Sequence, residues 1–142
     1  MNRWSPQPCT DEPDGLILFD GVCVFCSRWV RWVMRLDRER RFSFLSIQSP
    51  RGRALAARFG IDPDEPQTNA VVLDGRIWFK SDAALTVLGA FPETAPLALL
   101  KRAPRRLRDP LYDLIARNRY RIFGRTDQCM VPDPADRDRF LS

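Results

Sequence analysis

The sequence predicts an α/β fold, a mixed four-stranded sheet flanked by helices, with a helical C-terminal extension. Three observations lead there. The apolar run Leu16-Ile17-Leu18-Phe19 is followed closely by a segment with helical spacing. A second run, Phe42-Ser43-Phe44-Leu45-Ser46-Ile47, mixes aromatic and β-branched residues as strands do. Farther on, two apolar runs flank Asp74-Gly75, the strongest short-range hairpin signal. With 142 residues the chain is long enough for one domain and one real core.

In chain order, residues 1–13 are rich in proline and polar side chains and read as a flexible tail. Residues 15–20 form a buried strand. Residues 23–36 form a helix in which Cys26, Trp29, Val30, Val33 and Leu36 recur on one face and Arg28, Arg31 and Arg35 on another. After the strand at 42–47, a helix runs from Arg51 or Gly52 to Phe59 and stops at Gly60. A loop with Pro63 and Pro66 leads to the hairpin, 70–73 and 76–79. Ser81 is placed to cap a helix from Asp82 to Leu88. The first strand, helix and second strand make a βαβ unit with parallel strands and a right-handed crossover. The hairpin completes four strands, a thioredoxin-like arrangement over a core of about 15–91. Residues 96–103 and 105–123 continue the domain as helices, with Pro110 at a first turn and Gly124 as the stop.

The composition narrows the chemistry. There is no histidine, which excludes a Cys-His nucleophilic pair, a histidine-containing zinc site and imidazole acid–base catalysis. No apolar run approaches the ~20 residues of a membrane span. Met1 to Pro8 has no apolar stretch of the kind a signal peptide needs, so the expected location is the cytoplasm. In that reducing compartment four cysteines point to catalysis or metal binding rather than to structural disulfides. The net charge of +5 is concentrated between Lys101 and Arg125, where only Asp109 and Asp113 oppose the arginines. Most such helices are solvated and salt-bridged; the alternative is a patch for nucleic acid, an acidic partner or a membrane surface.

Cys23-Val24-Phe25-Cys26 carries the chemistry. Thiols three residues apart at the start of a helix share one side of its first turn. The free N–H groups and the helix dipole there stabilise a thiolate. Cys23 is therefore the expected nucleophile and Cys26 the resolving thiol. Val24 and Phe25 offer no polar group to the sulfur, so the expected pKa depression is modest, closer to a reductant than to a strong oxidant. Phe25 is either an apolar surface for the partner or a core aromatic. Asp20 is either an Asx-turn that holds the loop presenting Cys23, or a buried carboxylate that takes the proton of Cys26. Cys129 is either an auxiliary thiol or a small buried apolar residue, and nothing local assigns Cys9 a role.

Asp20-x-x-Cys23-x-x-Cys26 after a strand resembles the signature of the DCC family of thiol–disulfide oxidoreductases. Ser81-Asp82-Ala83-Ala84-Leu85, Arg108-Asp109, Tyr112 to Tyr120, Phe123-Gly124 and Asp127-x-Cys129-x-x-Pro132 are similar to that family as well. The resemblance implies a thioredoxin-like fold, a redox role and no prosthetic group. Electrons would come from a thiol donor, and the substrate would be a disulfide- or thiol-containing protein or small molecule. One departure concerns the cis-proline that thioredoxins set against the disulfide. Gln67 stands at that place, followed by Thr68 and preceded by Pro66. Either Pro66 takes a related role or the usual substrate clamp is missing.

Three rival classes have to be weighed. A structural zinc site would need a second close-spaced ligand pair beside Cys23 and Cys26. A phosphatase of the haloacid-dehalogenase type would need an aspartate where Val22 stands. A non-enzymatic binding module would use the basic C-terminal helix, with Tyr112, Tyr120 and Phe123 as a stacking surface, although nucleic acid is the less expected partner.

Overall fold

The computed structural model of the chain describes residues 5–124 and 134–141. Its centre is the expected sheet: β2 (Leu16–Phe19), β3 (Ser43–Ser46), β4 (Ala70–Leu73) and β5 (Arg76–Phe79). β2 pairs in parallel with β3, Ile17 opposite Phe44, and antiparallel with β4, Ile17 opposite Val71. Strand alternation divides the core in two. Leu16, Leu18, Leu45, Val72, Ile77 and Phe79 face α2 (Pro50–Arg58), whereas Ile17, Phe19, Phe44 and Val71 pack with Val30 and Val33 of α1 (Val24–Leu36) and Ala83 and Val87 of α3 (Lys80–Gly89). This is a thioredoxin-like α/β fold.

Among the described residues the sheet has six strands rather than four. Gln7–Pro8, expected in a flexible tail, forms β1 on β5, and Phe140–Leu141 forms β6 in parallel with β3. Two-residue strands have no periodicity to read; tertiary contacts make them. Cys9, just after β1, is buried in the α2-side core, and burial pushes its thiol pKa up. β6 is held by Arg139, which pairs with the buried Asp37 and donates to the Phe42 carbonyl. Asp37 also accepts the N–H groups of Arg41 and Phe42 at 2.9 and 2.8 Å, so one carboxylate joins the end of α1, the start of β3 and the C-terminal edge.

Several helix ends differ from expectation for local reasons. Ser49 caps α2, its Oγ accepting the Gly52 N–H at 3.0 Å. Gly52 is required there because a Cβ would stand 1.9 Å from the Ser46 carbonyl oxygen. Ser81 lies inside α3, not at its cap. The helix starts two residues earlier, capped by Phe79, with Lys80 at φ 52° and its N–H held by Thr68 Oγ1 at 2.7 Å. The C-terminal extension comprises a 3-10 segment, Ala95–Arg102, and α4, Arg105–Phe123. Pro110 lies within α4 rather than at its first turn, because Pro104 already caps it. Ion pairs draw α4 onto α3: Lys80 to Asp113 at 2.6 Å, Arg108 to Asp82 at 2.9 Å, and Arg105 to Asp82. Ser81 adds hydrogen bonds to Asp109 and Arg108.

Candidate active site

β2 ends at Phe19, and the next seven residues build the site. Asp20 is wholly buried. Its Oδ1 accepts the Val22 N–H at 3.2 Å, which is the Asx-turn expected of it, and the Gln48 side-chain amide at 2.7 Å. Its Oδ2 accepts from Arg119 at 3.3 Å and from the Tyr120 hydroxyl. Gln48 in turn accepts the Gly21 N–H at 2.8 Å. The turn ahead of the cysteines is thus pinned from the end of β3 and from α4.

That turn delivers Cys23 to the N-cap of α1, with extended backbone angles and its Sγ accepting the Cys26 N–H at 3.2 Å. Cys26 lies one turn on, facing inward, and both thiols are free and buried. Their proton affinities are split. The hydrogen bond from the Cys26 side chain lowers the Cys23 pKa to about 7; burial works against it, and the Cys26 N–H and Arg119 assist. Cys26 is pushed well above the ordinary thiol value, first by its bond to Cys23 and then by burial. A thiolate beside a protonated partner is the division of labour that disulfide exchange needs.

Gln48 is a site residue that sequence reasoning missed, and so are Arg119 and Tyr120 of α4. Both lie in a segment already singled out for its resemblance, but the arginine counted toward a basic surface and the tyrosine toward a stacking face. Arg119 is buried and also donates to the Pro66 carbonyl at 2.6 Å. Burial opposes its charge, yet Tyr120, Cys26 and Asp20 hold its pKa above the ordinary value. Burial and then the bond to Asp20 push the Tyr120 pKa up to about 12. Tyr112 of α4 accepts the Asn69 N–H at 3.1 Å, and Phe123, at the exposed end of the helix, stacks on Phe25 with ring centroids 4.7 Å apart.

Phe25 is exposed while making that stack, so it is not the core aromatic that was one of its two expected readings. Gln67 is exposed and turned to its own loop, accepting the Asp62 N–H at 2.9 Å. Thr68 is buried and links β4 to α3. Pro66, through its carbonyl, is the member of that trio tied to the site. Cys129 lies outside the described residues.

The sequence matches the DCC1-like thiol-disulfide oxidoreductase family over residues 17–125, which spans the Asp20–Cys26 turn and all of α4. The chain belongs to this family. Among similar relatives is the Bacillus subtilis (strain 168) protein named "Uncharacterized protein YuxK", 36% identical over 91% of this chain and 95% of that one. Another is a chloroplastic DCC family protein of Arabidopsis thaliana, 39% identical over 80% of this chain and 67% of that protein. No solved structure matches. The DCC membership accords with the geometry, for the aspartate and two cysteines of the family name are the residues that the turn, α1 and α4 bring together. Among the described residues no helix is long and apolar enough to cross a membrane.

Proposed function

We propose that the protein exchanges disulfides through Cys23 and Cys26, with a disulfide-containing protein or small molecule as substrate and a thiol as electron donor. The observation that carries this reading is the split pair: Cys23 at the N-cap with its pKa lowered to about 7, Cys26 beside it and held protonated. The Cys23 thiolate attacks one sulfur of the substrate disulfide. That bond breaks, one half leaves as a thiolate, and the other stays bonded to Cys23. The step also frees Cys26, because the chief cause of its raised pKa is its bond to the Cys23 sulfur, now uncharged. Cys26 gives its proton to the released thiolate or to water and attacks Cys23, the second half leaves as a thiolate, and the Cys23–Cys26 disulfide remains. Two electrons pass to the substrate.

Asp20 is a positioning residue in this scheme rather than the base. Both its oxygens are already engaged, by Val22 and Gln48 on one side and by Arg119 and Tyr120 on the other. A reducing compartment such as the cytoplasm suits a dithiol of this kind. The test is a pair of variants assayed with a chromogenic disulfide. Cys23→Ser abolishes exchange, and Cys26→Ser completes only the first step, leaving a mixed disulfide on Cys23 visible by mass spectrometry. Full activity in both variants would exclude the pair.

A further inference from the structure

Two exposed stripes, one on α1 and one on α4, are apolar where a surface helix is usually polar. On α4, Leu107, Leu111, Leu114 and Ile122 follow one another at spacings of four, three and eight residues, which sets them on one face. Leu107, Leu111 and Ile122 are 66, 60 and 67% exposed, so this face is not packed on the core. On α1, Phe25, Trp29 and Trp32 recur at spacings of four and three. Phe25 and Trp32 are exposed, and Trp29 stacks on Trp32 with ring centroids 5.4 Å apart. The stripes adjoin: Phe123, at the end of α4, stacks on Phe25, and Ile115 of α4 lines one cavity with Phe25 and Trp29. An apolar surface that runs across two helices marks a place of contact.

The charges beside these stripes are of one sign. Arg28, Arg31 and Arg35 stand exposed on α1, and Arg106, Arg117 and Arg121 stand exposed on α4. None of these arginines makes an ion pair among the described residues. α1 contains no acidic residue, and the acids of α4, Asp109 and Asp113, are bound to Ser81 and Lys80 of α3.

We infer that α1 and α4 together dock the protein on the surface of an anionic lipid bilayer, with the leucines and aromatic rings against the acyl chains and the arginines on the headgroup phosphates. The charge selects this occupant. A second copy of the chain seated on the same face would bring arginines against arginines, with no acid to meet them. A nucleic acid would supply phosphates but no apolar phase for the leucines to enter. An anionic bilayer supplies both to a helix that lies flat on it. Tryptophan and phenylalanine beside arginine suit the boundary between headgroups and chains. The helices lie along the bilayer, since the opposite face of α1 packs on the sheet and that of α4 on α3. The inference stands independently of the exchange reading. Where both hold, the N-terminal end of α1, with Cys23, meets its substrates beside the lipid.

The test is sedimentation of the full-length reduced protein with two kinds of vesicle, phosphatidylcholine alone and phosphatidylcholine with an equal part of phosphatidylglycerol. Binding to the anionic vesicles should be at least about tenfold tighter and should weaken as salt is raised. Arg117→Gln combined with Arg121→Gln should weaken it roughly thirtyfold, from the loss of two charges at the surface. Leu111→Ser combined with Leu114→Ser should weaken it about tenfold or more, from apolar area that no longer leaves water. All four side chains are exposed. Both double variants should exchange the soluble chromogenic disulfide at the wild-type rate, so this inference and the exchange reading fail separately. Equal binding to the two kinds of vesicle, or none to either, would overturn the inference. So would a leucine variant that binds as the wild type does, because the arginines alone would then hold the protein. A wild type that is dimeric in solution, with a monomeric leucine variant, would give the face to a second copy instead.

Discussion

Replacing Arg119 with methionine removes the cation from a wholly buried aspartate, and the consequences divide into two measurable parts. Stability should fall by about 3–5 kcal/mol, the usual loss when one partner of a buried pair is removed, as read by urea denaturation. The Cys23 pKa should rise, since Arg119 is one of the groups lowering it. Asp20→Asn should act the other way on the thiol, because the aspartate charge raises the Cys23 pKa. A purely structural role for Asp20 would leave that pKa where it is. Both shifts can be followed through iodoacetamide alkylation. In the wild type the rate should climb as pH rises through about 7 and then level off, because only the thiolate reacts and Cys23 titrates there. A midpoint near the ordinary thiol value of 9.0 would contradict the split pair. Asp20, Cys23 and Cys26 were legible because their pattern is local, seven residues at a strand-to-helix junction. Arg119 was not, because its contact with Asp20 spans 99 residues and its type is common along a basic helix.

At the scale of elements, α4 is what turns an open dithiol into an enclosed one. The Val24 N–H donates to the Gly124 carbonyl, and Phe123 lies on Phe25, so the end of α4 closes over the start of α1. Gly124 makes that closure with φ 95°, a backbone that side-chain-bearing residues rarely adopt. Phe123→Ala should therefore raise the alkylation rate of Cys23 several-fold at fixed pH. It should cost only about 1 kcal/mol, the order of an aromatic pair. An unchanged rate would mean that the stack does not govern access. The hairpin and the face of α1 could be read outright, since Asp74 and Gly75 take the positive φ their turn type demands and the buried positions of α1 include Cys26, Val30 and Val33. The start of α3 could not. The Thr68 hydroxyl holds the Lys80 N–H from twelve residues away, and this contact overrides the local preference for Ser81 as cap.

For the molecule as a whole, buried ion pairs join distant parts of the chain to the sheet. Asp20–Arg119 brings α4 to the end of β2, and Asp37–Arg139 brings β6 to the edge beside β3. Arg139→Met should lower stability by about 3–5 kcal/mol, whereas Arg121→Met, on the exposed side of α4, should change it by less than about 0.5 kcal/mol. Equal effects in urea unfolding would show that β6 is not held through Arg139. The four central strands were legible in the sequence because each is an apolar run of its own; β1 and β6 become strands only through the neighbours they meet.

The central claim is that Cys23 and Cys26 form an exchangeable dithiol, and a redox titration tests it most directly. Purified protein equilibrated in thiol–disulfide buffers of graded potential, then alkylated and weighed by mass spectrometry, reports the fraction of Cys23–Cys26 disulfide. The account predicts one reversible two-electron transition near the cytosolic thiol poise, about −220 to −260 mV, and well below a strong oxidant's potential. A pair that stays reduced across the whole range, or that oxidises and does not return, would contradict it.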